Sequence, residues 1–218
     1  MVSKDDGNRS QEIFEDLYEQ IKDARLLEKL HEIRVITVGK LDSIKTDFSK
    51  YTKVFHVGHT DDLQSFEFPA LLKISNDSLQ FDDDTNVLYL HLKGASKMKM
   101  QSDEQWKKKM LDCVVHNHEV CLEKLKTHDA VGTLLSDAIK IDGKIAWHYS
   151  GNFWWSTAKH IKKLPWPDYK ILLKTHEFLI RGRQNKNPAA PVKCNWRYLA
   201  EFWIGLNNLN EQHNFCNL

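Results

Sequence analysis

The sequence predicts a single α/β domain with a mostly parallel central sheet flanked by helices. Three observations carry that expectation. Ile33–Val38, Lys53–Val57 and Val87–Leu92 are short apolar or β-branched runs of strand length. The segments around them repeat apolar residues at helical spacing. The chain of 218 residues is one domain of fair size, able to bury a core and still carry a cleft.

The elements follow in chain order. Residues 1–10 are polar and read as a disordered leader, so the domain is expected over 11–206. Gln11–Leu30 is an amphipathic helix on Ile13, Phe14, Leu17 and Ile21, with Ser10 able to cap its start. Ile33–Val38 is a buried strand ended by Gly39, Leu41–Tyr51 holds a short helix, and Lys53–Val57 is the second strand. Phe66–Ser75 restarts the helical pattern, with Pro69 tolerated in its first turn. Val87–Leu92 is the strongest strand, and Asp103–Lys126 is one long helix on Trp106, Met110, Cys113 and Leu122. Ala130–Leu135 has strand character, and Asp142-Gly143 turns a small hairpin into Ile145–His148. Ala158–Leu164 is a short helix stopped by Pro165 and Pro167, 184–191 is a loop, Arg197–Leu206 is a helix, and 207–218 is a polar tail.

Composition excludes several classes. A formal net charge of +1 gives no field that would gather nucleic acid. No apolar run approaches the roughly 20 residues that span a bilayer. Met1–Ser10 lacks an apolar signal core, so a cytoplasmic protein is expected. The four cysteines form no CxxC pair, and Cys113 and Cys121 read as small core hydrophobes. The histidines show no HExxH spacing, His116 and His118 do not share a helix face, and neither GxSxG nor a P-loop is present.

Two segments carry chemistry. In Val87–Gly94, strand alternation puts His91 and Lys93 on one face and Leu88, Leu90 and Leu92 on the other. Gly94 then permits a sharp turn. A basic pair at a strand's C-terminal end suits a diphosphate; the plainer reading is a solvated Lys93 and a His91 bonded to a loop. The second segment is Trp147–Trp155, where Ser150, Gly151 and Asn152 interrupt a dense aromatic block. Aromatic faces with interleaved donors suit a sugar ring, and about half of these aromatics are expected in the core whatever the function. Asp82 and Asp84 could hold a metal as an Asp-x-Asp pair, the basis of a metal-dependent hydrolase reading. They precede the strand instead of ending it, so a solvated loop is expected. Arg181, Arg183 and Lys186 form a local basic patch.

Tyr89-Leu90-His91-Leu92-Lys93-Gly94 resembles the YLHxKG motif of a family of glycosyltransferase-like proteins, and His148–Trp155 resembles that family's HxSGNFWW motif. Glu67-Phe68-Pro69, Trp106, Asp129–Gly132 and Glu201–Ile204 match in order and spacing, from about Gln11 to Gly205. The chain departs at its start, where the family's usual apolar strand before the first helix has no counterpart. The resemblance implies a Rossmann-like domain similar to the GT-A glycosyltransferases, with a hexosyltransferase type of activity. The substrates implied are a nucleotide sugar and a glycan or small-molecule acceptor. The usual metal-binding Asp-x-Asp is replaced by His91-x-Lys93, so the fixed ammonium meets the leaving diphosphate and manganese or magnesium is not favoured. By the same resemblance Glu67, His91, Lys93 and Gly94 serve the donor, and His148, Ser150, Gly151, Asn152, Trp154 and Trp155 the acceptor sugar. Glu201 is the general base. The alternative is a noncatalytic carbohydrate- or nucleotide-binding module.

Overall fold

A computed structural model describes residues 8–92, 101–137, 140–141, 144–145, 147–168, 198–207 and 212–218. Helix α1 (Asn8–Asp23) begins inside the expected leader, and Ser10 is a buried helical residue and not a cap. Arg25, at φ 55, breaks the expected single helix, and α2 (Leu26–Lys29) follows. The ammonium of Lys53 closes this corner by donating to the carbonyls of Leu27 at 2.9 Å and Leu30 at 2.5 Å. These are orphan acceptors at a helix end, which a cation suits.

Strands β1 (Ile33–Val38) and β2 (Val54–Thr60) pair in parallel and stand apart as a two-stranded sheet. Helix α3 (Phe68–Ser78) has Pro69 in its first turn, as expected. Strand β3 (Asn86–Tyr89) is shorter than the expected Val87–Leu92. Helix α4 (Gln101–Leu111) runs into a π turn at Asp112–His116, and α5 (His118–Leu125) follows. Beyond it lie β4 (Ala130–Gly132), β5 (Leu135–Ser136), β6 (Lys140–Ile141), β7 (Lys144–Ile145), β8 (His148–Tyr149) and β9 (Trp154–Thr157). Short helices α6 (Ala158–Ile161) and α7 (Tyr198–Phe202) come next, and β10 (Phe215–Asn217) closes the chain.

The expected mostly parallel central sheet, and with it the GT-A-like, Rossmann-like architecture, is overturned. The largest sheet has four strands in the order β10-β4-β9-β3. Only β10 and β4 are parallel there; β9 runs antiparallel to both β4 and β3. β5–β8 and β6–β7 are separate antiparallel pairs. The apolar pattern of a strand records which faces are buried, not the direction of its neighbour. Val87–Leu92 is therefore compatible with a central parallel position and with the antiparallel edge it occupies. The polar tail is also part of the fold. Phe215 is buried, Tyr149 Oη reaches the Cys216 carbonyl at 2.9 Å, and Thr133 Oγ1 donates to the terminal Leu218 at 2.7 Å.

Strand β9 separates two cores. Trp154 lies with Phe68, Leu71, Tyr89, Phe202 and Trp203 on one side. Trp155 lies with Met110, Val114, Cys121 and Val131 on the other. The π turn explains the break in the expected long helix. It hands three successive carbonyls to side chains: Cys113 O to the Cys121 thiol at 3.3 Å, Val114 O to the Trp155 indole at 2.7 Å, and Val115 O to His118 at 2.9 Å. A regular helix would commit those acceptors to its own amides.

Gly205 packs against the chain before β8, where a Cβ would stand 1.9 Å from the Trp147 carbonyl oxygen. Gly205→Ala is expected to cost about 3 kcal/mol or more, since backbone must move to admit the methyl, as read from the urea midpoint. His160 on α6 is fully buried and donates through Nε2 to Ile204 O at 2.9 Å. Burial holds its pKa below 6.5, partly offset by that carbonyl. The unfolded chain then binds a proton that the folded chain refuses. Stability from this group is complete above the unfolded value and is lost as pH falls from there toward the folded one. Equilibrium unfolding between pH 7 and 5 is expected to show that decline, and His160→Gln to flatten it.

Candidate functional site

The helix α3 entry, the end of β3, the turn before β9 and helix α7 meet at one buried polar knot. Glu67, just ahead of Phe68, is a buried carboxylate. Its Oε2 accepts from Asn152 Nδ2 at 2.7 Å and from Tyr89 Oη at 3.3 Å. His91 Nε2 donates to the Gly151 carbonyl at 2.9 Å, and its Nδ1 stands 3.9 Å from Glu67 Oε1. The carbonyl acceptor assigns the proton to Nε2, so a second proton on Nδ1 would make an ion pair with Glu67.

Asn152 ties the knot. Its amide nitrogen donates both to Glu67 and to the Ala200 carbonyl at 3.3 Å, and its oxygen accepts from the Trp154 indole at 2.8 Å. Its backbone is left-handed, φ 57, next to Gly151 at φ 96. Asparagine tolerates that region best among non-glycine residues, and Gly151 carries no Cβ to oppose it. Phe66 holds another positive φ, 46, immediately before Glu67. Strained backbone of this kind persists only where surrounding contacts fix it.

His91 lies on the Tyr89 side, rings 6.4 Å apart, and Leu88 and Leu90 pack into the opposite core, whereas Leu92, expected on their face, packs against the separate cluster of Phe14, Val35 and Phe48. Lys93 and Gly94, the other half of the expected diphosphate site, lie outside the described residues, as do Arg181, Arg183 and Lys186. Glu201 is half-buried on α7, directly after the Ala200 carbonyl held by Asn152. Ser150 is half-buried at the turn, its backbone amide bonded to Leu134 O at 3.0 Å.

The structure buries Trp154 and Trp155, which the resemblance assigns to the acceptor sugar. Trp154 is fully buried, with Tyr89 stacked on it at 5.2 Å and Trp203 at 6.3 Å. Trp155 is buried in the other core. His148 is buried too, its ring edge-on to Phe202 at 4.3 Å. Packing covers the surfaces that a sugar would need. Asp82 and Asp84 sit in the turn before β3, at the strand end opposite His91. Asp83 between them pairs with Lys162 at 2.7 Å, which lowers its pKa. Asp84 lines an open groove of about 590 Å³ together with Lys29, Asn86, Glu119, Glu123 and Thr157, away from the knot. Among the described residues no group of three His, Cys, Asp or Glu side chains is placed to hold a metal. No described helix is long and apolar enough to cross a membrane.

Residues 1–207 match the family described as a domain of unknown function, DUF8361. This chain belongs to that family. No curated protein and no solved structure matches it.

The sequence marks Tyr89 only as a motif residue without a role, and it does not mark Ala200. The partner of the Tyr89 hydroxyl is 22 residues away, and Ala200 contributes only a carbonyl, which no side-chain pattern marks. A double-mutant cycle tests the knot. Glu67→Ala and Asn152→Gly, the latter keeping the backbone conformation, are each expected to be destabilising. Their coupling should be about 1.5–3 kcal/mol, the scale of a hydrogen bond to a charged group, read by urea unfolding.

Proposed function

We propose that this protein is a glycosyltransferase-like enzyme that passes a sugar from a nucleotide donor to a glycan or small hydroxylated acceptor without a metal. One observation carries the reading. Glu67, His91, Gly151-Asn152 and Ala200, from four distant segments, converge on a single buried polar cluster at the end of β3. These segments are the same ones that resemble the transferase-like motifs. The cluster fixes the Ser150–Asn152 turn and the backbone that presents Glu201. Lys93 follows His91 by two residues and supplies the ammonium for the leaving diphosphate, and Glu201 takes the proton of the acceptor hydroxyl. The support is motif and cluster; the sheet architecture lends none.

A second reading has its own observation. Trp154, Trp155 and His148 are buried, and Asn152 satisfies its amide within the chain. A noncatalytic module that kept the scaffold and lost turnover fits that, in its nucleotide-binding form and not in its carbohydrate-binding one.

Calorimetric titration with UDP, GDP, UMP and dTDP, each with manganese and with EDTA, tests both. One diphosphate is expected to bind and to survive EDTA, and Lys93→Ala to weaken it by about 1.5–3 kcal/mol. Glu201→Gln should then lower turnover of the matching nucleotide sugar by about 10²–10⁴-fold with binding intact. Binding without any turnover leaves the module reading. No binding by any of the four ends the donor-site assignment.

A further inference from the structure

The sheet β1–β2 carries a second constellation, separate from the knot. Thr37 Oγ1 lies 2.9 Å from His56 Nε2 and 2.8 Å from His59 Nδ1, and His59 Nε2 lies 3.1 Å from Asp61 Oδ1. Thr37 is fully buried, His59 is half-buried, and His56 is exposed. A bulge makes this arrangement. Val35 pairs with His56, but Ile36 pairs with Gly58 and Thr37 with His59, so Val57 is the extra residue. Three positions apart on a regular strand, His56 and His59 would face opposite sides. The bulge turns both onto the face of Thr37, the kind of re-aiming for which bulges serve.

Hydrogen-bond bookkeeping gives the row a direction. Asp61 can only accept, so His59 carries its proton on Nε2 and its Nδ1 is an acceptor. The single Thr37 hydroxyl proton goes to that nitrogen. Thr37 then accepts from His56 Nε2–H, and His56 Nδ1 is left with its lone pair at the exposed end. Several charged groups around the sheet are engaged elsewhere. Lys73 and Asp77 of α3 pair with each other and Asp77 also with Arg34, and Lys50 pairs with Asp47.

We propose that Asp61, His59, Thr37 and His56 form a proton relay, with His56 Nδ1 as a general base for a hydroxyl-bearing small molecule. The ligand's O–H proton bonds to His56 Nδ1. The His56 Nε2 proton passes to Thr37 Oγ1, and the Thr37 proton passes to His59 Nδ1. The ligand is left as an alkoxide, and the positive charge rests on the His59 imidazolium beside Asp61. Every proton is accounted for, and no oxidant or metal enters. The relay does not depend on the transferase reading.

Nitrogen-15 NMR of the imidazole rings in the full chain, titrated with acid, tests it without any ligand. Both rings are expected as Nε2–H tautomers at high pH. The first proton taken by the pair should charge His59 while His56 exchanges its tautomer to Nδ1–H, the two rings moving together. Thr37→Val should uncouple them, so that His56 takes its own proton and becomes an imidazolium without exchanging tautomer; Thr37→Ser, which retains the hydroxyl, should restore the coupling. Rings that titrate independently in the native chain, or a Thr37→Val chain that is folded by circular dichroism and still shows concerted exchange, would overturn the relay. Should Thr37→Val fail to fold, the native tautomers and the Thr37→Ser titration decide alone: a neutral His59 protonated on Nδ1 contradicts it.

Discussion

The side-chain amide of Asn152 is the point on which the two halves of the fold depend. Its nitrogen joins the entry of α3, through Glu67, to the carbonyl of Ala200 in α7, and its oxygen fixes the indole of Trp154 in the central strand β9. Each of these partners is buried, where a polar group without a partner costs far more than a made hydrogen bond returns. One residue therefore ties three elements that are distant in the chain. Its left-handed backbone is the condition for reaching all three.

Strand β9 extends that constraint outward. Its two tryptophans face different cores, so the sheet position that holds Trp154 against Tyr89 and Trp203 also sets Trp155 against the α4–α5 region. The indole of Trp155 takes the Val114 carbonyl, and neighbouring side chains take those of Cys113 and Val115. The π turn is thus the complement of the tryptophan strand: a helix of regular pitch would leave the Trp155 N–H buried without an acceptor. The aromatic density that suggests a sugar platform is spent on this internal fit.

Polar side chains gather in two places with different physics. At the knot, a carboxylate, an imidazole and an amide are packed close together and their bonds are largely made within the chain, which favours positioning over direct chemistry. On the β1–β2 sheet a short row runs from the exposed Asp61 through His59 and the buried Thr37 hydroxyl to the exposed His56 ring. The first holds a turn and a helix in register, and the second is the row for which we propose a proton relay. The open groove near Asp84 has charges of both signs and shares no residue with either.

Much of the local structure was legible in the sequence. Ile33–Val38, the helix after Pro69, the burial of Cys113 and Cys121, and the placing of His91 on the Tyr89 side all follow from periodicity, because local side-chain spacing decides which face is apolar. The motif segments around Glu67, His91, Asn152 and Glu201 could be named as well. Tertiary structure alone decided the strand directions, the pairing of Phe215–Asn217 with Ala130–Gly132, and the break of the long helix into a π turn. The reason is physical. An apolar pattern says that a face must be covered, but what covers it is set by groups far along the chain: the Ala200 carbonyl for Asn152, the Val114 carbonyl for Trp155, and the bulge that brings His56 and His59 together on Thr37.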